Sequence, residues 1–305
     1  MFKNLCYPAL GITGHQSEII ELALTFGFGG MDINAVEFAT RARLKGMDYA
    51  RRLIQSAKIK LGTFQLPVSW EADDETFQKD LKKLPEYAQA AATAGCTRTV
   101  VTLAPAGDQR PYHENFEFHR RRFQEICQVL EPTGVRLGVG FLGAEYLRKD
   151  QAFQFIHDLD ALTLLLNMVG APNIGLVLDI WEVFAVGGSL ESARKIPASQ
   201  IVAVQVAEMP PGVAITELDD KSRLLPTVEN ARIDIPTFLM ILKQAGYDGP
   251  VTPKPSRSVF QTRRRDMIVK QVGDAMERVW RAAGLPSERR LAPTSSAAVP
   301  YEHAE

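Results

Sequence analysis

The stretch "GPVTPKPS", residues 249–256, sets a lysine, Lys254, between Pro253 and Pro255. A central strand tolerates neither proline, because proline cannot donate to the ladder, so a strand entering this stretch must end there with Lys254 at its tip. A lysine in that position can polarise a carbonyl, supply a fixed positive charge or form a Schiff base. Carboxylates able to move a proton nearby end or follow other short apolar runs: Asp179 and Glu182 in "NIGLVLDIWEVF", Glu208 just after Gln205 in "IVAVQVAEMPPG", and Asp32 in "GGMDIN". Arg223 lies in the long loop "MPPGVAITELDDKSRLLP", and His15 in the loop "TGHQS". Trp70 and Trp181 are candidates for an apolar wall against a ligand, with a core role at least as good a reading of either. Together these types suit proton transfer next to a carbonyl, with Lys254, Glu182 and Glu208 as catalytic candidates. Asp179, Gln205, Arg223, Asp32, His15, Trp70 and Trp181 are the substrate-binding candidates.

The elements that must carry these residues alternate between short β-branched runs and longer helical patterns. Eight candidate strands are legible, at 6–13, 29–34, 59–64, 98–103, 135–141, 173–180, 201–207 and 249–252. Helical periodicity fills the gaps, including one long stretch over 73–95 that Asp73 or Asp74 would cap, a first helix capped by Ser17, and a last helix over about 261–283. Eight βα repeats without a GxGxxG after the first strand predict one closed (β/α)₈ TIM barrel over residues 1–285, with functional residues at the C-terminal ends of its strands. Residues 286–305, rich in Pro, Ser and Ala, read as a flexible C-terminal tail or one lying on a partner subunit of a homo-oligomer.

Composition excludes several function classes. The 305 residues carry 35 basic and 36 acidic side chains, a net charge of −1, so nothing in the balance calls for nucleic acid or a membrane surface. The run "HRRRF" at 119–123 reads as a solvated helix face. Cys6, Cys96 and Cys127 are far apart and lack metal-ligand spacing, which predicts buried thiols in a reducing, cytoplasmic setting. The start has no long apolar segment and no run approaches a membrane span. No cofactor is expected; the expected partner is a small molecule.

Read together and in order, "GFGGMDI", "IKLGTFQLPVSW", "GVRLGVGFLG", "APNIGLVLDIWEVF", "IVAVQVAEMPPG", "DDKSRLLP" and "LKQAGYDGPVTPKPS" resemble the xylose-isomerase-like TIM barrels of the sugar-phosphate isomerase/epimerase superfamily. The likeness runs from about residue 5 to 283. It implies a divalent metal held by a Glu ending the fifth strand, an Asp ending the sixth, a His or Gln in the seventh and a Glu ending the eighth. By position, Asp179 and Gln205 are the retained ligand positions, while Gly140 and Lys254 stand where the family has glutamates. Glu182 stands where a His is common and Glu208 where an Asp is common; Arg223 resembles the family's substrate-binding arginine. A glycine offers no ligand and a protonated lysine repels a dication. The expectation is therefore a degenerate metal site in which Lys254 supplies the charge and Asp179 is its counter-ion. Three functions follow: a metal-independent isomerase, epimerase or lyase on a sugar-like or polyhydroxylated carbonyl compound; an inactive relative that binds such a ligand or a protein; and a metal-dependent isomerase using Asp179, Glu182, Gln205 and Glu208.

Overall fold

In the computed structural model, which describes residues 1–262, 264–287 and 290–291, the β-branched runs pair side by side as parallel strands. Strand β1 is Phe2–Leu5, β2 Gly30–Met31, β3 the two pieces Lys60–Leu61 and Phe64–Gln65, and β4 Arg98–Thr102. β5 is Arg136–Gly140, β6 Ile174–Asp179, β7 Ile201–Val206 and β8 Pro250–Pro253. Each pairs in parallel with its sequence neighbour, and β8 returns to β1 with Phe2 opposite Pro250 and Lys3 opposite Val251. The first piece of β3 pairs with β2 and the second with β4, so the two ends of the sheet are one chain segment divided by Gly62 and Thr63. Backbone bonds carry the pairing across that division, from Gly62 N to Met31 O (2.9 Å) and from Ile33 N to Thr63 O (3.1 Å). The sheet is thereby closed, and the chain is a (β/α)₈ barrel.

The first strand lies elsewhere than the sequence reading puts it. "CYPALGIT" is the loop above β1, where Leu10 N bonds Tyr7 O, Gly11 N bonds Pro8 O, and Gly11 adopts φ +73°. Pro8 has no N–H to give a ladder. The real strand, "FKNL", hides from an apolar search because Lys3 and Asn4 are both buried in it. They are paired: Lys3 Nζ meets Glu277 on the last helix and lies 5.9 Å over the Trp280 ring, while Asn4 points into the barrel toward Asp32 and Thr252.

Helices surround the sheet. After β1 comes α1 (Gln16–Thr25), whose N-cap is His15 rather than Ser17. Then follow α2 (Ala35–Lys45), capped by the Asn34 side chain, and α3 (Met47–Ala57). The long helical stretch at 73–95 is two helices, α4 (Asp74–Leu81) and α5 (Leu84–Ala94). Asp73 does cap the first, and Pro85 begins the second, since its ring cannot continue an existing helix but suits a new first turn. The remaining helices are α6 (Tyr112–Leu130), α7 (Leu159–Val169), α8 (Ile180–Ala185), α9 (Leu190–Arg194), α10 (Ile235–Gln244) and α11 (Arg265–Ala282). Most of the tail at 286–305 lies outside the described residues. Of its described part, Arg290 pairs with Asp274 and Leu291 N bonds Leu24 O. No described helix is long and apolar enough to cross a membrane.

Closure leaves no space at Gly62. A Cβ there would fall 2.2 Å from Asn4 Oδ1, and Asn4 is itself held by Asp32 and Thr252. Gly62→Ala is therefore expected to cost about 1–3 kcal/mol by overpacking, read as a lower urea midpoint with an unchanged slope.

Candidate functional site

A cavity of about 850 Å³ opens at the C-terminal end of the barrel. Its floor is Val100, Thr102, Val177 and Ala203, and its polar groups include Cys6, Asp32, Thr63, Gln65, Gln205, Thr252, Lys254 and Arg257. The register explains the grouping. Gln205 on β7 lies opposite both Asp179 on β6 and Thr252 on β8, and Lys254 continues β8 upward by donating its N–H to Val206 O (2.8 Å). The Lys254 ammonium donates to Gln205 Oε1 at 3.1 Å. It faces into the cavity, half-buried, as its place at the Pro-flanked strand end implied.

Asp32 lines the cavity from the end of β2, on the far side of β1 from β8. Its Oδ1 accepts three bonds: from Asn4 Nδ2 (2.8 Å), Thr63 N (2.8 Å) and Thr63 Oγ1 (2.9 Å). Burial pushes its carboxyl up from the ordinary aspartate value, against the hydrogen bonds from Asn4, the Cys6 thiol and Thr63 that pull it down. The Cys6 thiol is raised well above its usual value, by burial first and then by Asp32. Cys96 and Cys127 are buried as expected, whereas Cys6 lines the cavity between the strands carrying Asp32 and Lys254. Asn4, Thr63 and Cys6 were missed in the sequence. A polar residue inside a four-residue strand was the available signal for Asn4.

Asp179 does not face Lys254. Its Oδ2 accepts from Arg223 Nη2 at 2.6 Å, and its Oδ1 caps α8 through Trp181 N. Arg223 Nη1 also reaches Glu182 Oε1 at 2.9 Å, and its Nε reaches the Lys254 carbonyl at 2.9 Å. The guanidinium lies 4.8 Å over the Trp181 ring. The expected Lys254–Asp179 pair is thus replaced by Arg223–Asp179. A guanidinium presents several donors in a fixed fork and can serve two carboxylates and a carbonyl at once, whereas an ammonium cannot span them. Trp181 is buried beneath Arg223, donating to Ser222 O, and Trp70 is only partly buried; neither lines the cavity. Glu182 also stands outside it, its Oε2 accepting from Gly143 N at 2.7 Å.

Glu208 is likewise turned away. Its Oε1 accepts from the backbone N–H groups of Met209, Arg232 and Ile233, so it fastens both ends of the loop that carries Arg223. His15 caps α1 and lines a small side pocket of about 80 Å³ with Tyr7, Glu37 and Arg41, next to the main cavity.

The residues present do not fit the divalent metal that the fold family implies. Gly140 has no ligand to offer, Gln205 Oε1 is occupied by Lys254, and both Asp179 oxygens are bonded. Among the described residues no three His, Cys, Asp or Glu side chains are grouped to hold a metal ion.

A closed parallel barrel with a polar cavity at its C-terminal mouth defines a TIM-barrel protein. The family model for xylose isomerase-like TIM barrels matches residues 20–275, and the chain belongs to that family. Over 153 residues it is 26% identical to an inosose isomerase of Halalkalibacterium halodurans, covering 49% of this chain and 50% of that one. Over 155 residues it is 24% identical to an inosose isomerase of Bacillus velezensis, covering 51% and 52%. The matched region spans about half the length of these curated relatives. Its fold is similar to a xylose isomerase domain protein from Alicyclobacillus acidocaldarius (TM-score 0.81, 23% identity, 92% and 99% coverage). It is also similar to a D-psicose 3-epimerase solved with D-fructose (TM-score 0.69, 12% identity, 92% and 99% coverage).

Burial raises the Glu182 carboxyl from 4.5 to about 6, against the pull of Arg223 and with a further push from Asp179. Because this folded value lies above the unfolded one, the native state binds more protons between them, and the stability Glu182 contributes falls as pH rises through that window. Glu182→Gln removes the fall. Unfolding midpoints of the two proteins should therefore shift in the variant's favour between about pH 4.5 and 6 and run parallel above it.

Proposed function

We propose that the chain is a metal-independent enzyme of the isomerase or epimerase type, or a lyase, acting on a sugar-like or polyhydroxylated carbonyl compound in the barrel mouth. One observation carries the reading: a single cavity holds the Lys254–Gln205 pair and, from the strand two places away, the buried carboxyl of Asp32, which burial pushes above the ordinary aspartate value. Cyclic-polyol and ketose chemistry in the relatives' names agrees with it.

The substrate carbonyl oxygen is placed against Lys254, whose positive charge stabilises the oxyanion that develops when the neighbouring C–H bond breaks. Asp32 takes that proton, leaving an enediolate whose negative charge Lys254 faces. Returning the proton to the other carbon, with the hydroxyl proton passing between the two oxygens, completes an isomerisation. If the enediolate instead expels a β-hydroxyl, Asp32 gives the proton that it took to the departing oxygen, which leaves as water; this is the lyase variant. A carboxyl raised by burial suits both halves, since it can hold the proton between taking and returning it. Thr63 and Asn4 fix one oxygen of Asp32, and the Cys6 thiol also bonds the carboxyl, so its orientation beside the cavity is set. Lys254, donating to Gln205, acts as a charge rather than as a Schiff-base amine. Glu182 and Glu208 hold Arg223 and the loop backbone, so the proton-moving role falls to Asp32.

A second reading, an inactive relative that binds such a ligand, is favoured by one fact: the carboxylates of Asp179, Glu182 and Glu208 are all engaged within the protein. Proton exchange separates the two. In D₂O with chelator, a panel of aldoses, ketoses and inososes is followed by NMR for exchange at the carbon beside the carbonyl. Exchange by the wild-type chain that falls about 10²–10⁴-fold in Asp32→Asn and Lys254→Met supports the enzyme, and saturable binding with no exchange in any of the three proteins leaves the binding protein. Borohydride is expected to trap no adduct at Lys254; a stable one would make the lysine a covalent catalyst instead.

A further inference from the structure

The Arg223 guanidinium is a bound cation in every respect but its tether. It sits between Asp179 at the end of β6, Glu182 in the first turn of α8 and the carbonyl of Lys254 at the end of β8. All three oxygens lie within 2.9 Å of it, and the side chains of Arg223, Asp179 and Glu182 are only 12%, 7% and 6% exposed. Trp181 closes one face. Its own backbone is clamped as well, with Ser256 N donating to Arg223 O at 2.7 Å. Two bonds, one from the side chain and one to the main chain, therefore bracket Lys254.

We infer that Arg223 is a resident cation that takes the place of a dication: it neutralises Asp179 and Glu182 and, through the Lys254 carbonyl and Ser256, holds the catalytic lysine in position. It is a positioning residue and makes no contact with the substrate. Asp179 and Glu182 gather around the guanidinium as they would around a metal, and two buried carboxylates cannot remain ionised at neutral pH without some cation between them. Removing Arg223 therefore exposes an acidic cradle that recruits a dication from solution. The inference builds on the metal-independent reading but is tested apart from it, because its readout is metal uptake and not turnover.

The experiment measures Mn²⁺ binding by titration calorimetry and thermal shift on the full chain. Arg223→Ala is expected to bind one Mn²⁺ per chain at least about 100-fold more tightly than the wild type, with a melting temperature that rises as Mn²⁺ is added. The double variant Arg223→Ala/Asp179→Asn should lose that gain. Arg223→Lys should melt well below the wild type, since one ammonium cannot span both carboxylates and the carbonyl. A folded Arg223→Ala protein whose Mn²⁺ affinity equals that of the wild type overturns the proposal. So does an Arg223→Lys protein that melts with the wild type, which decides the matter even where the alanine variant does not fold. Failure of the proton-exchange assay in wild type, with Mn²⁺ uptake still gained in Arg223→Ala, would remove the enzyme reading and leave this one standing.

Discussion

One buried guanidinium holds the mouth of this barrel together. Arg223 arrives on a long loop, yet its donors end on three separate elements: β6, α8 and the tip of β8. Breaking a buried ion pair by deleting one partner leaves an uncompensated charge in a poor solvent, typically at about 3–5 kcal/mol. The loop is accordingly part of the folded structure rather than a cover laid over it. Glu208 strengthens this by gathering three N–H groups from the loop's two ends on one oxygen, while Leu224 bridges back to Glu208 in both directions along the backbone. Acidic residues that look catalytic in the sequence are thus largely used in securing a loop.

The proposed chemistry falls to groups that the loop does not consume. Lys254 and Asp32 face one cavity from β8 and from the end of β2, with Cys6, just past the end of the intervening strand β1, between them. The environments of the two charged groups differ in kind. Lys254 has a neutral amide for a partner and stays half-exposed, whereas Asp32 is buried and raised despite its hydrogen bonds. A cation for the oxyanion and a carboxyl able to hold a proton are the two requirements of proton transfer beside a carbonyl.

Stability and site geometry meet in the polar ladder of the barrel interior. Asn4 bonds both Asp32 and Thr252, and it packs where only a glycine at position 62 leaves room. The position where the sheet closes is therefore also the support of Asp32. Likewise Lys3, on the outward face of the same strand, binds Glu277 and fixes α11 against β1. Membership of the xylose isomerase-like family accounts for the barrel, but the fold by itself does not specify the charges inside it.

Periodicity alone determined the eight βα units and their order, because each unit writes its pattern locally: β-branched runs, helix caps such as Asp73, and glycines past helix ends. The prolines around Lys254 likewise marked a strand end, since proline's missing N–H acts within a residue or two of itself. What tertiary structure decided is everything whose partner is distant in the chain. Lys3 and Asn4 concealed the first strand because burying them is acceptable only once Glu277 and Asp32 arrive, 274 and 28 residues away. Asp179 was legible as a strand-end carboxylate, but its partner was not: Arg223 lies 44 residues on, in a loop with no periodic pattern to say where its side chain would turn. Local sequence determines which backbone forms; which charges meet depends on how the loops return across the closed barrel, and that is settled only when desolvation forces each buried group to find an opposite.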